Sequence, residues 1–288
     1  MVVPNQQPTQ ESGSVASTQP ESEPGPVHSV RRYRDEPEDL VANLDDVNSD
    51  AGIISERMTQ KVVQKLCVAA GLYETPINNR KLFLGCKSFR EISGLDAYRN
   101  VQALFLESNC LTKIEGLDRL AELRVLHLHQ NAIEKISGLD FNTKLVKLDL
   151  AHNNISKIEN VSQCTNLQTF DISSNKIPGF PEMEGLGPCS ALTSIDVSGN
   201  QIKEFAGHLE FWKQFTELRA LRTHNNPGVR GTPQYRQSLI EALSDLRFLD
   251  QRRVTDLERT TSTALVRANT MYCSKFYRNF ELKFFVSF

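Results

Sequence analysis

Residues 101–153 read VQALFLESNCLTKIEGLDRLAELRVLHLHQNAIEKISGLDFNTKLVKLDLAHN. Within this stretch the pattern Leu-x-Leu-x-x-Asn occurs three times at a constant interval, and related copies continue toward the C-terminus. The asparagines are separated by 22, 22, 22, 25 and 26 residues, at Asn109, Asn131, Asn153, Asn175, Asn200 and Asn226. A period of this length predicts units that cannot bury their apolar faces alone and therefore stack on one another.

Each unit contains a short strand and a sharp turn. The Leu-x-Leu pair has the period-2 spacing of a strand whose alternate side chains point inward. An asparagine amide can satisfy buried backbone groups at the turn, because it both donates and accepts hydrogen bonds. We therefore predict an α/β fold, a right-handed leucine-rich repeat solenoid with a curved parallel sheet of about seven strands, and the asparagines as its structural ladder.

The pattern divides the chain into five segments. Residues 1–57 are rich in Pro, Ser and acidic residues and are predicted to be a disordered tail. An N-terminal capping helix and connecting loop follow at 58–78, then the repeats at 79–226. The fourth and fifth repeats carry insertions around Pro188 and Trp212, the second expected to be a short helix. A C-terminal cap is predicted at 227–255 and a helical or disordered tail at 256–288.

The tail ends in an unusual aromatic pattern. Phe276, Phe280, Phe284 and Phe288 recur every four residues, which would form a stripe on one side of a helix. Three interpretations remain open: a helix packed back on the solenoid, an amphipathic segment that binds a membrane surface or a partner, and an aberrant end produced by truncated or alternative coding.

Composition narrows the class of protein. A formal net charge of −2 gives no reason to expect nucleic-acid binding. Apolar runs are too short to span a bilayer, and the polar N-terminus lacks a signal-peptide core, so no membrane partner is expected. The six cysteines are dispersed and predicted to be free thiols. These features favour an intracellular protein, and we predict that it is monomeric.

Several stretches carry a resemblance to a known family. They are the helix from Met58, the Gly71-Leu72-Tyr73 and Thr75-Pro76 segments, the repeats containing Lys113-Ile114-Glu115-Gly116-Leu117, and the end from Asn226-Pro227 to Leu249-Asp250. Over residues 58–260 the chain resembles the dynein axonemal assembly factor 1 family, whose repeats are similar to those of the leucine-rich regulatory subunit of protein phosphatase 1. The chain departs from the family pattern after Asp250, where it reads Gln251-Arg252-Arg253-Val254.

The resemblance implies a non-enzymatic factor for preassembly of axonemal dynein arms, acting with dynein chains, chaperones or other assembly factors. It implies a place in the cytoplasm and at the cilium, flagellum or basal body. Two alternatives remain: a regulatory subunit of protein phosphatase 1, and a basal-body or centrosomal protein that controls flagellum growth.

Side chains between the buried leucines should point out from the concave face of the sheet. This face is the candidate partner-binding surface. Its residues are Phe83, Phe105, Glu107, His127, His129, Asp149, Asp171, Asp196, Arg222 and His224. The three aspartates should form an exposed acidic row whose carboxylates repel one another and would attract a basic partner. The alternative is that these aspartates only keep the face of the sheet soluble.

The same face carries two phenylalanines and a pair of histidines. Phe83 and Phe105 are expected to be adjacent exposed aromatics, which favour recognition unless the capping helix or the tail covers them. His127, His129 and His152 suggest zinc, but no neighbouring cysteine or carboxylate is evident in the sequence to complete the ligand set. We therefore predict no metal, no cofactor and no catalytic residue, since motifs for phosphate binding or nucleophilic catalysis are also missing.

Overall fold

The computed structural model describes residues 57–205 and 207–265. The described residues lie within one compact unit. The N-terminal segment that was predicted to be disordered, apart from Arg57, and the aromatic end at 271–288 lie outside the described residues.

The described chain forms a single sheet whose strands follow one another in sequence order. Strands β1 to β8 pair in parallel and β9 returns antiparallel to β8. The strands are β1 Lys81–Phe83, β2 Ala103–Phe105, β3 Val125–His127, β4 Lys147–Asp149, β5 Thr169–Asp171, β6 Ser194–Asp196, β7 Ala220–Arg222, β8 Phe248–Leu249 and β9 Arg252–Arg253. The parallel strands stack as a solenoid of about six turns. The seven strands expected from the repeats are β1 to β7, and the C-terminal segment adds β8 and β9.

The core is a column of apolar side chains at the middle of each strand. The residues are paired in register and are at most 1 % exposed; they are Leu82, Leu104, Leu126, Leu148, Phe170, Ile195 and Leu221. Each buried side chain packs on its counterparts in the neighbouring coils. The apolar surface of one coil is therefore buried by its neighbours, as stacked repeats require.

Asparagine amides connect successive coils at the turn after each strand. Asn153 shows the arrangement: its Oδ1 accepts from the backbone N–H of Ile133 at 3.0 Å, and its Nδ2 donates to the carbonyls of Leu128 and Leu150, each at 3.0 Å. Each of the six ladder asparagines makes the same three contacts, one of them within its own coil and two with the preceding coil. Polar groups at the turn are thereby satisfied without helix or sheet partners.

A column of glycines brings the coils together at a second place. Gly94, Gly116 and Gly138 all have positive φ, between 65° and 71°. A Cβ on Gly116 would lie 2.6 Å from the carbonyl oxygen of Ile92, and a Cβ on Gly138 would lie 2.6 Å from that of Ile114. Both the backbone conformation and the close approach therefore require glycine.

A helix packs beside the first strand. Helix α1, Gln60–Ala69, begins after Thr59, whose hydroxyl accepts from the N–H of Val62, and its inward face buries Val62, Val63 and Cys67. Gly71, with φ of 68°, ends the helix. The helix borders β1, the strand that would otherwise present an unpaired edge.

The longer repeats carry helical insertions. The insertion in the fourth repeat contains a 3-10 helix, Pro181–Leu186, and the insertion in the fifth repeat contains helix α2, His208–Lys213. Phe180 contacts the rings of Phe205, Phe211 and Trp212 at centroid distances of 5.3 to 5.9 Å. The aromatic contacts join the two insertions to each other.

The C-terminal part contains α3, Pro227–Gly231, α4, Tyr235–Ala242, and a helix over residues 256–265. Arg259 donates to the backbone carbonyls of Ile240, Leu243 and Leu246, and Arg236 pairs with Glu258 at 2.6 Å. The loop before the sheet holds one more short 3-10 helix, Pro76–Asn78. None of the helices in the described ranges is both long enough and apolar enough to cross a bilayer.

Candidate functional site

The strand pairing places one outward side chain from each coil in a single line across the sheet. The register joins the third residue of every strand from β1 to β7. We call this line the central row; it consists of Phe83, Phe105, His127, Asp149, Asp171, Asp196 and Arg222. Aromatic residues therefore occupy one end of the row, carboxylates its middle and an arginine its other end.

The aromatic end of the central row is a stack of rings. Phe83 and Phe105 are stacked with centroids 5.0 Å apart, and Phe105 and His127 are stacked at the same distance. Phe105 is only 5 % exposed. The expectation of two exposed aromatics was wrong for Phe105, because its neighbours in the row lie against both of its faces. Stacking of this kind instead fixes the orientation of the His127 ring.

The three aspartates of the row share one conformation. In each, Oδ1 accepts a hydrogen bond from the backbone N–H two residues later: Ala151 at 3.1 Å, Ser173 at 2.9 Å and Ser198 at 2.9 Å. These bonds fix the carboxylates, since Oδ1 is already engaged. The second oxygen, Oδ2, is left to interact across the face of the sheet.

Imidazole and guanidinium groups lie beside the outer two aspartates. Oδ2 of Asp149 lies 3.4 Å from Nδ1 of His127 and 3.3 Å from Nδ1 of His129, and Oδ2 of Asp196 lies 3.2 Å from Nη1 of Arg222. Burial opposes ionisation of Asp149, but the two imidazoles outweigh it and hold the pKa of the carboxyl far below its usual range. The Asp149 carboxylate in turn raises the pKa of His129. The row is thus half-buried and partly compensated rather than an exposed set of repelling charges.

Asp171 differs from its two neighbours. Within the ranges 57–205 and 207–265, no Lys, Arg or His side chain forms an ion pair with it. Burial, and then the charges of Asp196 and Asp149, raise its pKa to about 6. A positive group added to the central row would therefore be stabilised electrostatically more beside Asp171 than beside Asp149 or Asp196.

We expect Asp171→Asn to stabilise the protein at pH 7.5 by on the order of 1 kcal/mol. The folded pKa of about 6 lies above the value of about 3.9 for an unfolded aspartate, so the folded wild type binds more protons between these values. Wild-type stability must then fall as the pH rises through this window, whereas asparagine does not titrate. Urea unfolding of both proteins from pH 4 to pH 7.5, with a chelator present, should show their difference growing with pH. A constant difference would contradict this assignment.

The second outward position of each coil contributes three of the expected residues. Glu107 lies over Gly85 and its Oε2 is buried without a hydrogen-bond partner in the described chain. Nδ1 of His224 lies 3.6 Å from Oδ1 of Asp250 without a hydrogen bond, and that oxygen accepts from the backbone N–H groups of Thr223 and His224. Glu107 and His224 therefore lie toward opposite ends of the face and do not join one polar cluster.

The expectation that no carboxylate accompanies the histidines was wrong. His127, His129 and Asp149 form a group whose potential ligand atoms lie within 4.8 Å of one another. The sequence periodicity already indicated that these three residues are neighbours. Asp149 lies one 22-residue repeat after His127, and His129 lies two residues after His127 on the same face. His152, the third histidine considered, is not part of this group.

Comparison with known proteins supports the architecture. A sequence model of the leucine-rich repeat family, described as "Leucine-rich repeat", matches residues 142–274. No curated protein sequence matches the chain.

Two solved structures from Listeria monocytogenes str. 4b F2365 are similar. Internalin C2 has a TM-score of 0.53 at 16 % identity, over 73 % of this chain and 94 % of that one. The internalin inlF has a TM-score of 0.46 at 19 % identity, over 66 % of each chain, so this chain spans just under two thirds of its length. At these identities the likeness to internalin C2 concerns the fold alone. The family match and the likeness to internalin C2 agree with the repeat geometry, which shows a parallel-sheet solenoid built from leucine-rich repeats.

Proposed function

We propose that this protein is a non-enzymatic scaffold that binds a protein partner across the central row of its concave face. The arrangement of that row carries the proposal. Asp171 lies between two fixed carboxylates and has no positive partner in the described chain. A lysine or arginine from another protein would relieve the repulsion there. Leucine-rich repeat solenoids commonly use such extended concave surfaces for binding.

The proposed process is cytoplasmic preassembly of axonemal dynein arms for cilia or flagella. Support comes from the resemblance of residues 58–260, above all the capping helix and the loop that follows it. In that loop, the Asn79 side chain accepts from the N–H of Tyr73 at 3.0 Å and donates to its carbonyl at 2.8 Å. Partners would be dynein chains, chaperones or other assembly factors, and the protein would act as a monomer in the cytoplasm and at the cilium, flagellum or basal body.

Deletion of the gene tests the process. We expect axonemes of normal length that lack dynein arms in electron micrographs, because arms that are not preassembled cannot be installed. Normal arms would refute the proposal. Short or missing flagella would favour the alternative role in flagellum growth at the basal body.

Charge reversal tests the surface. Asp149→Lys, Asp171→Lys and Asp196→Lys together should strongly reduce recovery of dynein chains and chaperones in affinity purification, because lysines would repel a basic partner. Glu115→Lys, Asp118→Lys and Glu134→Lys make the same change in net charge at exposed positions outside the strands and should leave recovery unchanged.

Circular dichroism of both proteins verifies folding. Should the triple reversal fail to fold, Asp171→Asn alone provides the comparison. Unchanged recovery from a folded variant would place the partner elsewhere. Recovery of protein phosphatase 1 by the wild type, without dynein chains or chaperones, would favour the phosphatase-regulator alternative.

A further inference from the structure

Two histidines on the concave face, His127 and His129, lie close to the same carboxylate oxygen of Asp149. Nδ1 of His127 and Nδ1 of His129 come from positions two residues apart on the same strand face, while Oδ2 of Asp149 comes from the next strand. Potential ligand atoms from the three residues lie within 4.8 Å of one another. Two imidazole nitrogens and one carboxylate oxygen are a typical protein ligand set for zinc.

The spacing of these atoms suits a tetrahedral ion. Bonds of about 2.0–2.1 Å at a tetrahedral centre place neighbouring ligand atoms about 3.3–3.4 Å apart. The two measured distances from Oδ2 of Asp149 to the imidazole nitrogens are 3.4 Å and 3.3 Å. Asp149 could therefore contact an ion together with either ring without moving, and the potential ligand atoms of the two rings lie within 4.8 Å of each other.

Two of the ligand residues are held in place by contacts that do not involve the ligand atoms. Oδ1 of Asp149 accepts from the N–H of Ala151, which leaves Oδ2 directed at the rings. The His127 ring is stacked on Phe105 with an interplanar angle of 19°. Such outer contacts orient ligands in known metal sites.

The imidazole of His129 has a buried nitrogen without a hydrogen-bond partner in the described residues. Its Nδ1 is buried, and despite the 3.3 Å separation from Asp149 it makes no hydrogen bond in the described part of the chain. A buried polar atom that lacks a hydrogen bond calls for an explanation, and a bound ion is one that would satisfy it. The pair formed by His224 and Asp250 offers only a single imidazole, so it makes no comparable group.

We propose that His127, His129 and Asp149 bind a divalent transition-metal ion of the zinc class, with a fourth position open on the concave face. The donor set excludes a dedicated calcium or magnesium site, since these ions prefer oxygen ligands. Water or a donor side chain of a partner would complete the coordination. Ion binding is a property of this chain by itself, and it stands or falls independently of the proposed role in dynein assembly.

Titration of the purified, untagged protein tests the site. Cys86 and Cys110, which are exposed, and Cys273, which lies outside the described residues, are changed to serine in every sample so that their thiols do not bind the added ion. After treatment with chelator, Zn²⁺ is added in a calorimeter and Co²⁺ in a spectrophotometer. We expect one ion per chain and the intense visible absorption of tetrahedral cobalt.

Three variants decide the assignment. His129→Gln and Asp149→Asn should each weaken Zn²⁺ binding by more than about 10-fold, because loss of an outer-shell contact alone commonly costs about 10- to 100-fold. His224→Gln removes a histidine that also neighbours a carboxylate, and it should bind Zn²⁺ as the parent does. Thermal unfolding in chelator checks that each variant is folded; if one is not, the other ligand variant decides. No one-to-one binding by the parent protein, or equal binding by a folded ligand variant, would overturn the proposal.

Discussion

Asn153→Ala is expected to lower the free energy of unfolding by about 3 kcal/mol. The loss is concentrated in one group. The backbone N–H of Ile133 has Oδ1 of Asn153 as its acceptor and becomes an unsatisfied buried donor when the amide is removed. The carbonyls of Leu128 and Leu150 lose one bond each but keep a second from Asn131 and Asn175. Denaturant unfolding followed by circular dichroism measures the change.

The adjacent residue provides the control. Asn154 has the same side chain and uses its backbone N–H, not its amide, to bond the carbonyl of Ile133. Asn154→Ala should therefore change stability by less than about 0.5 kcal/mol. Similar losses at both positions would mean that the amide contacts between coils contribute little to stability.

Gly138→Ala is expected to destabilise the protein by about 3 kcal/mol. Two effects contribute: alanine is disfavoured at φ of 65°, and its Cβ would lie 2.6 Å from the carbonyl oxygen of Ile114. A backbone oxygen of the neighbouring coil cannot move away as the end of a flexible side chain can. The two coils would have to separate locally, and thermal or denaturant unfolding would report the cost.

Gly71→Ala separates the two effects. Gly71 has a similar φ of 68°, but a Cβ there would have no heavy atom within 4 Å. Its replacement should cost only the conformational strain, about 1 kcal/mol. If both variants lost the same stability, the close approach at Gly138 would not limit the packing of the coils.

Periodicity was sufficient to predict the stacked parallel architecture, because the leucines and asparagines repeat the same physical requirement in every coil. Strands β8 and β9 were not predicted because they lack that repeat. Phe248 and Leu249 continue the sheet without a following asparagine, and the Asp250 carboxylate accepts from the N–H groups of Thr223 and His224. In the preceding coil the N–H of Val197, which corresponds to Thr223, instead bonds the backbone carbonyl of Arg222.

The composition of the central row could also be obtained from the repeat register, whereas its electrostatics could not. Alternation along a strand predicts which side chains face outward, but it does not give their rotamers or the hydrogen bonds that select them. The contact of Asp149 with two imidazoles depends on the bond from Ala151 and on the ring stack at Phe105. Such details come from neighbouring coils acting together.

The contacts of the asparagine amides also make the stability of each coil depend on its neighbours. Because each amide bonds to its own coil and to the preceding one, opening a single interior coil disrupts interfaces on both sides. A linear array with nearest-neighbour coupling of this kind opens from its ends more readily than from its middle. Strands β3 and β4 lie in the interior of the array, so the histidine and aspartate group is carried by coils that open late, and its geometry is protected from local unfolding.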